Sequence, residues 1–193
     1  MSEAEVRKRE FDVVVYGATG FTGGLVAEYL LAKKELPVSR WAIAGRDRVK
    51  LTELRARLKE IDPAAADLAL INASSGDPVS LESMCARSKV VITTVGPYKK
   101  YGEPLVAAAL RESTDYVDLT GEPSWWKQMI ERYHDRAEAK GVRRFLLSRS
   151  LCRSGFGERP LAVAVFDPGA SAPRFAGFVY EETFACADLP LPL

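Results

Sequence analysis

Gly17, Gly20 and Gly23 recur at every third position of Gly17-Ala-Thr-Gly-Phe-Thr-Gly23, directly after the apolar run Val13 to Tyr16. This G-x-x-G-x-x-G spacing is a variant of the dinucleotide fingerprint, and it meets the same physical demands. The first glycine permits a sharp strand-to-helix turn, the second lets backbone approach a pyrophosphate, and the third lets the helix pack closely on the sheet. Phosphate would then sit on free N–H groups at a helix N-terminus, where the helix dipole favours negative charge. A tight structural turn would use the same glycines. The strand before them, the helix after them and their place near the start of the chain favour nucleotide binding.

The nature of the nucleotide is read at the end of the second strand. An acidic residue there meets a free ribose 2′-OH, whereas an arginine meets a 2′-phosphate. This strand ends Ala44-Gly45-Arg46, and a guanidinium offers phosphate a planar fork of donors. Arg48 and Lys50 are placed to add to it, and Asp47 to compete as a ribose ligand; the bland alternative is a solvated basic loop. NADP(H) is therefore expected over NAD(H). Gly96-Pro97-Tyr98 caps the fourth strand, where a nicotinamide would lie, and Tyr98 reads equally as a substrate-side or a surface residue. Asp118 and Glu122 are candidate acid–base groups, although a carboxylate at a strand end is more often a helix cap or a solvated loop charge. The single histidine, His134, falls on a helix and reads as solvent-facing. With one histidine no Ser-His-Asp triad is available, and no catalytic residue is nominated. Trp125 and Trp126 read as packing residues.

These residues need a scaffold, and the hydrophobic pattern supplies one. Strands are expected at Val13–Tyr16, Trp41–Ala44, Leu68–Ile71, Val90–Val95, Tyr116–Leu119 and Phe145–Leu147. Between them lie helices with apolar faces at Leu25, Val26, Tyr29 and Leu30; at Leu51, Leu54, Leu58 and Ile61; at Leu81, Met84 and Cys85; at Leu105, Val106, Ala109 and Leu110, in a helix starting near Gly102; and at Trp126, Met129, Ile130, Tyr133 and Ala137. Regular alternation of strand and helix implies an α/β fold, a doubly wound parallel sheet of the NAD(P)-binding Rossmann-like kind with strand order 3-2-1-4-5-6. The segments Gly17–Gly23, Gly45–Arg48, Asn72–Ser75, Gly96–Tyr98 and Thr120–Glu122 would then meet beyond the carboxyl ends of the strands, where such sheets bind ligands.

Bulk properties exclude other classes. The 193 residues are 47% hydrophobic and 27% charged, with a formal net charge of +1. That balance gives no electrostatic case for nucleic acid or an anionic membrane. Cys85, Cys152 and Cys186 lack metal-ligand spacing and read as free thiols of a reducing compartment. No run approaches the ~18 apolar residues of a membrane span, and the polar start is not a secretory signal. A cytoplasmic protein is expected, with no metal site.

Taken in order, Phe11-Asp-Val-Val-Val-Tyr-Gly-Ala-Thr-Gly-Phe-Thr-Gly23, Ala44-Gly-Arg46, Val95-Gly-Pro-Tyr98, Tyr101-Gly-Glu-Pro-Leu-Val106 and Asp115-Tyr-Val-Asp-Leu-Thr-Gly-Glu122 resemble the saccharopine dehydrogenase-like oxidoreductases, and within them the trans-acting enoyl reductase branch. The resemblance spans about residues 11–143. It implies an NADP-binding domain followed by a substrate domain, and a reduction of polyketide or lipid-type enoyl intermediates made by a partner synthase. It also implies nucleotide contacts at Gly17, Thr19, Gly20, Phe21, Thr22, Arg46 and the Gly96–Pro97 turn.

The likeness stops after Arg143. Gly155-Phe156 and Pro160 keep a family spacing, but Gly157-Glu158 replaces its Asp-Ser pair. Five of the eleven prolines fall from Pro160 onward, and Leu161 to Phe166 is the one strand candidate there. The expected division is an arm at 1–10, a dinucleotide-binding domain at 11–148 and a divergent tail at 149–193, the substrate domain being largely missing as in a truncated or frame-shifted member. The tail is expected to be partly irregular or to pair with the sheet edge, and an exposed edge beyond the sixth strand would favour a homo-oligomer. Three functions compete on this reading: an NADPH-dependent enoyl-type oxidoreductase, a non-catalytic dinucleotide-binding remnant, and an interaction module.

Overall fold

The computed structural model describes residues 9–141 and the strand backbones at 144–146 and 164–165. Strands β1 (Phe11–Tyr16), β2 (Trp41–Gly45), β3 (Ala69–Asn72), β4 (Ser88–Thr93), β5 (Asp115–Asp118), β6 (Arg144–Leu146) and β7 (Ala164–Val165) form one sheet in the order β3-β2-β1-β4-β5-β6-β7. β1 to β6 run parallel, with Val14 opposite Ala42 on one side and Val91 on the other. β7 runs antiparallel on β6, pairing Phe145 with Val165. The expected order is therefore found, and part of the expected 161–166 strand covers the edge offered for dimerisation.

Helices α1 (Phe21–Lys33), α2 (Arg48–Ile61), α3 (Pro78–Arg87), α4 (Tyr98–Glu112) and α5 (Pro123–Ala139) make the crossovers. Alternation along the strands divides the core between two faces. Val15, Trp41 and Ile43 pack with Ala27, Leu31, Leu51, Leu54 and Leu58 of α1 and α2. Val14, Tyr16, Ala42, Ala44 and Val91 pack with Leu81, Met84, Leu105, Val106, Trp125 and Met129 of α3, α4 and α5. Each fully buried large side chain contributes about 1.5–3 kcal/mol relative to exposure.

Several helix faces differ from the pattern reading. α1 buries Gly23, Gly24, Ala27 and Leu31, leaving Leu25 half exposed, because small residues let its backbone lie close to the sheet. Ile61 closes α2 on the solvent side, and Trp126 is exposed while Trp125 takes the core position. α4 begins four residues before Gly102 and tolerates Pro104 within its first two turns. β4 stops at Thr93, two residues short of the expected end, because Thr94 leaves the ladder to bond the β1 loop. His134 is half-buried and engaged rather than solvent-facing. Cys85 is buried, and its thiol is pushed up to about 12, chiefly by burial and then by the Glu112 charge. Cys152, Cys186 and the division at 148 lie outside the described residues.

The amino ends of the strands are fastened by ions. Arg40 donates to both Asp12 oxygens at 2.9 and 2.7 Å, and Lys89 approaches the same carboxylate at 2.6 Å. Arg9 donates to the carbonyls of Cys85 and Glu112, joining the ends of α3 and α4.

Candidate dinucleotide-binding site

The glycine loop leaves β1 through Gly17, whose φ of +85° is the left-handed region that glycine favours. A Cβ there would stand 2.6 Å from Val95 Cγ2, so the loops after β1 and β4 touch at this point. Thr94 seals the junction: its hydroxyl donates to Gly17 O at 3.2 Å, and its N–H to Tyr16 O at 3.0 Å. On the other side Gly17 N and Ala18 N both donate to Ala44 O. At Gly23 a Cβ would lie 2.3 Å from Gly17 O and 2.7 Å from Ala18 Cα, so this glycine lets α1 pack on its own loop. These two glycines are accounted for by packing.

Gly20 is not. It has extended φ and ψ, and a Cβ would meet only Gly17 O, at 3.3 Å. Gly20 is also the N-cap of α1, where no side chain caps and no acidic residue lies in the first turn. An α-helix leaves its first four N–H groups without intrahelical acceptors. Here Thr19, Gly20 and Phe21 are exposed, and Phe21 is 86% accessible. α2 and α3 contrast with this: Asp47 accepts from Val49 N and Lys50 N, and Asp77 from Val79 N and Ser80 N. The α1 terminus thus keeps an anion-binding character that α2 and α3 satisfy internally.

Arg46 follows β2 directly, in the loop next to this terminus. A Cβ on the preceding Gly45 would be 3.8 Å from Thr19 Oγ1. Arg46 is exposed, and its charge acts on the Tyr16 phenol, which burial pushes upward. Lys50 lines one groove with Thr19, Gly20 and Phe21, and Glu53 and the Glu28–Arg57 ion pair line it too. Two neighbours named from the sequence are spoken for. Asp47 is the α2 cap rather than a free ribose ligand, and Arg48 donates to Leu70 O at 3.0 Å. The donors that remain at this groove are the backbone N–H groups of the α1 terminus and Lys50, a set of the kind that takes a phosphate.

On the β4 side Gly96 and Pro97 are exposed and joined by a cis peptide bond. Tyr98 turns inward: its hydroxyl donates to Thr93 O at 3.0 Å and accepts from Leu119 N at 3.3 Å, and burial first, then the Asp118 charge, pushes its pKa up. It is a packing residue here, not a substrate contact. Glu122, one of the acid–base candidates, accepts Tyr98 N at 2.7 Å and Lys99 N at 3.0 Å, and so caps α4 from another loop. Asp118 is buried and accepts from Thr120 N. Neither carboxylate is a free acid or base. Among the described residues no cluster suited to a metal ion occurs, and no helix is long and apolar enough to cross a membrane.

Sequence reasoning placed the five loops together correctly. It missed Thr94 and the Tyr16–Ser75 hydrogen bond of 3.0 Å, and it named a helix cap among the ordinary roles of Glu122 without saying which helix. The available signal for that helix was the alternate spacing of Asp118, Thr120 and Glu122 from the end of β5 onward.

Comparison with known proteins bears on this arrangement. The trans-acting enoyl reductase of Mycobacterium leprae is 49% identical over 136 residues, 70% of this chain. That of Mycobacterium tuberculosis is 49% identical over 143 residues, 74% of the chain. Over this stretch the chain is a homologue of the trans-acting enoyl reductases. It spans about a third of their length, 31% and 32% respectively. No protein-family model matches. Among solved structures, saccharopine dehydrogenase from Saccharomyces cerevisiae superposes with a TM-score of 0.52 at 19% identity, over 69% of this chain and 26% of that one. Triphenylmethane reductase of Citrobacter sp., solved with NADP(H), gives 0.53 at 20% identity, over 72% and 49%. These two likenesses establish the fold as Rossmann-like. The enoyl reductase homology covers 70–74% of the chain.

Proposed function

We propose that the chain binds NADP(H) and is the dinucleotide-binding part of an enoyl-reductase-type oxidoreductase. Its substrate class would be a lipid or polyketide-type enoyl thioester delivered by a partner synthase, in the reducing conditions of the cytoplasm. The observation that carries the reading is the uncapped α1 N-terminus, with Gly45, the residue before Arg46, close to Thr19. Gly17 and Gly23 shape the cradle; Thr19, Gly20, Phe21 and Thr22 present it to the pyrophosphate. Arg46 would take the 2′-phosphate, and Gly96 and Pro97 would flank the nicotinamide. The cofactor supplies the hydride, and the protein's part is to bind and orient it. Residues that position the enoyl group belong to the substrate domain expected from the family resemblance.

The test is a titration of the purified chain with NADPH and NADH, followed by the fluorescence of its three tryptophans. NADPH is expected to bind at least about tenfold more tightly, a difference of ~1.4 kcal/mol, and Arg46→Ala to abolish the preference. Equal weak binding of both nucleotides would remove the reading. NADPH oxidation with enoyl thioesters then separates an enzyme from a binding module.

A further inference from the structure

The loop after β5 is built to reach the loop after β4. Asp118 Oδ1 accepts Thr120 N at 3.0 Å, and Thr120 Oγ1 accepts Glu122 N at 3.1 Å. Each acceptor thus fixes the backbone two residues on, and the third side chain of the series turns away from its own loop. The Glu122 carboxylate crosses to the start of α4, one oxygen on Tyr98 N and the other on Lys99 N. A second tie runs parallel to it, from Leu119 N to the Tyr98 hydroxyl and on to Thr93 O. Asp118 and Thr120 are buried, while Gly96 and Pro97, directly before the two bonded N–H groups, are exposed.

Two consequences follow from that geometry. The first two donors of α4 are used, so the positive end of this helix is neutralised from within the protein, unlike that of α1. The Gly96–Pro97 turn is also held in position by a residue more than twenty positions away in the chain. The two loops at the switch point therefore differ: one offers open donors, the other a fixed and electrically satisfied surface. An anionic pyrophosphate suits the first, and an uncharged ring suits the second.

We propose that Glu122 is a positioning residue for the nicotinamide half of the nucleotide, acting through the Gly96–Pro97 turn. This rests on the NADP(H) reading above. Glu122 touches no nucleotide atom itself; it sets where the turn stands and keeps anions off α4.

The experiment compares two probes on the full chain: NADPH, which spans both loops, and adenosine 2′,5′-bisphosphate, which reaches only the α1 and Arg46 side. Glu122→Ala removes both bonds, and the isosteric Glu122→Gln removes the one that needs a second acceptor oxygen. If the alanine variant does not fold, the glutamine variant carries the test, with circular dichroism to confirm its fold. The expected result is NADPH affinity about tenfold weaker in Glu122→Ala and less so in Glu122→Gln, with the affinity for the bisphosphate unchanged. A merely structural role would move both probes together, and that outcome, or no change in either, overturns the proposal. If the unaltered chain binds neither probe, the NADP(H) reading fails and this inference falls with it. Bisphosphate binding without a selective NADPH loss leaves that reading standing and rejects only the role of Glu122.

Discussion

Among the fingerprint glycines, spacing says less than what a methyl group would meet. Gly17 combines a left-handed backbone with a 2.6 Å approach to Val95. Gly17→Ala should cost about 1–3 kcal/mol of folding stability, measured as a lower urea midpoint. Gly20 has ordinary angles, and a methyl there would press on one atom alone, Gly17 O, at a tight 3.3 Å that a shift of a few tenths of an ångström relieves. Gly20→Ala should cost under about 1 kcal/mol while weakening NADPH about tenfold or more, ~1.4 kcal/mol. Parallel denaturation and fluorescence titrations check the pair, and an equal loss of stability in both variants would contradict the division. The motif was legible in the sequence, but its sharing of duties was not, because a glycine needed for folding and one left open for a ligand are written with the same letter. Glu122 shows the same limit: a carboxylate after a strand reads alike whether it caps a helix or faces solvent.

At the level of elements, strand order and crossovers follow from alternation, and β1 to β5 fall within two residues of where the pattern puts them. Helix faces were less legible. In α1 the apolar residues Leu25 and Val26 advertise a face, yet close approach selects Gly23, Gly24 and Ala27 instead. The α4–α5 contact explains another misreading. Trp125 is 2% exposed, and a Cβ on Gly102 would come within 2.5 Å of its ring. Adjacent tryptophans look interchangeable in a periodic pattern; only the glycine on the opposing helix makes room for Trp125. Gly102→Val should lower stability by about 1–3 kcal/mol through overpacking, and Trp125→Ala by about 3–5 kcal/mol through the cavity it leaves. Thermal unfolding followed by circular dichroism measures both. Combined, the two changes should cost less than their sum, since one removes the ring that the other displaces.

Across the whole molecule the two ends of the sheet differ in kind. The carboxyl end gathers glycine loops and exposed donors, and the amino end is tied by Asp12 to Arg40 and Lys89. Hydrogen bonds first from Arg40 and then from Lys89 hold the Asp12 carboxyl down, from its ordinary 3.8 to about 2. A depressed acid stabilises the fold at pH values above its unfolded pKa, and that contribution is lost as pH falls through the folded one. Stability should therefore decline between about pH 4 and pH 2 on account of this group, and Asp12→Asn should flatten that part of the curve. Urea midpoints measured from pH 5 to pH 2 test it; an unchanged slope in the variant would refute it.

β1 lies inside this sheet, between β2 and β4, although it is the first of the described strands. Thr94, directly after its partner β4, bonds Tyr16 from 78 positions away. On a ribosome adding about 5–20 residues per second, that separation is roughly 4–16 s of synthesis. For that interval Val13, Val14 and Val15 have β2 to pair with on one side at most, and the other edge has no native neighbour. Long-range pairing of this kind slows folding and prolongs exposure of apolar strand. The need for protection during synthesis is thus concentrated on β1, and the glycine loop, which closes against Thr94 and Val95, takes its final shape only once the loop after β4 has been made.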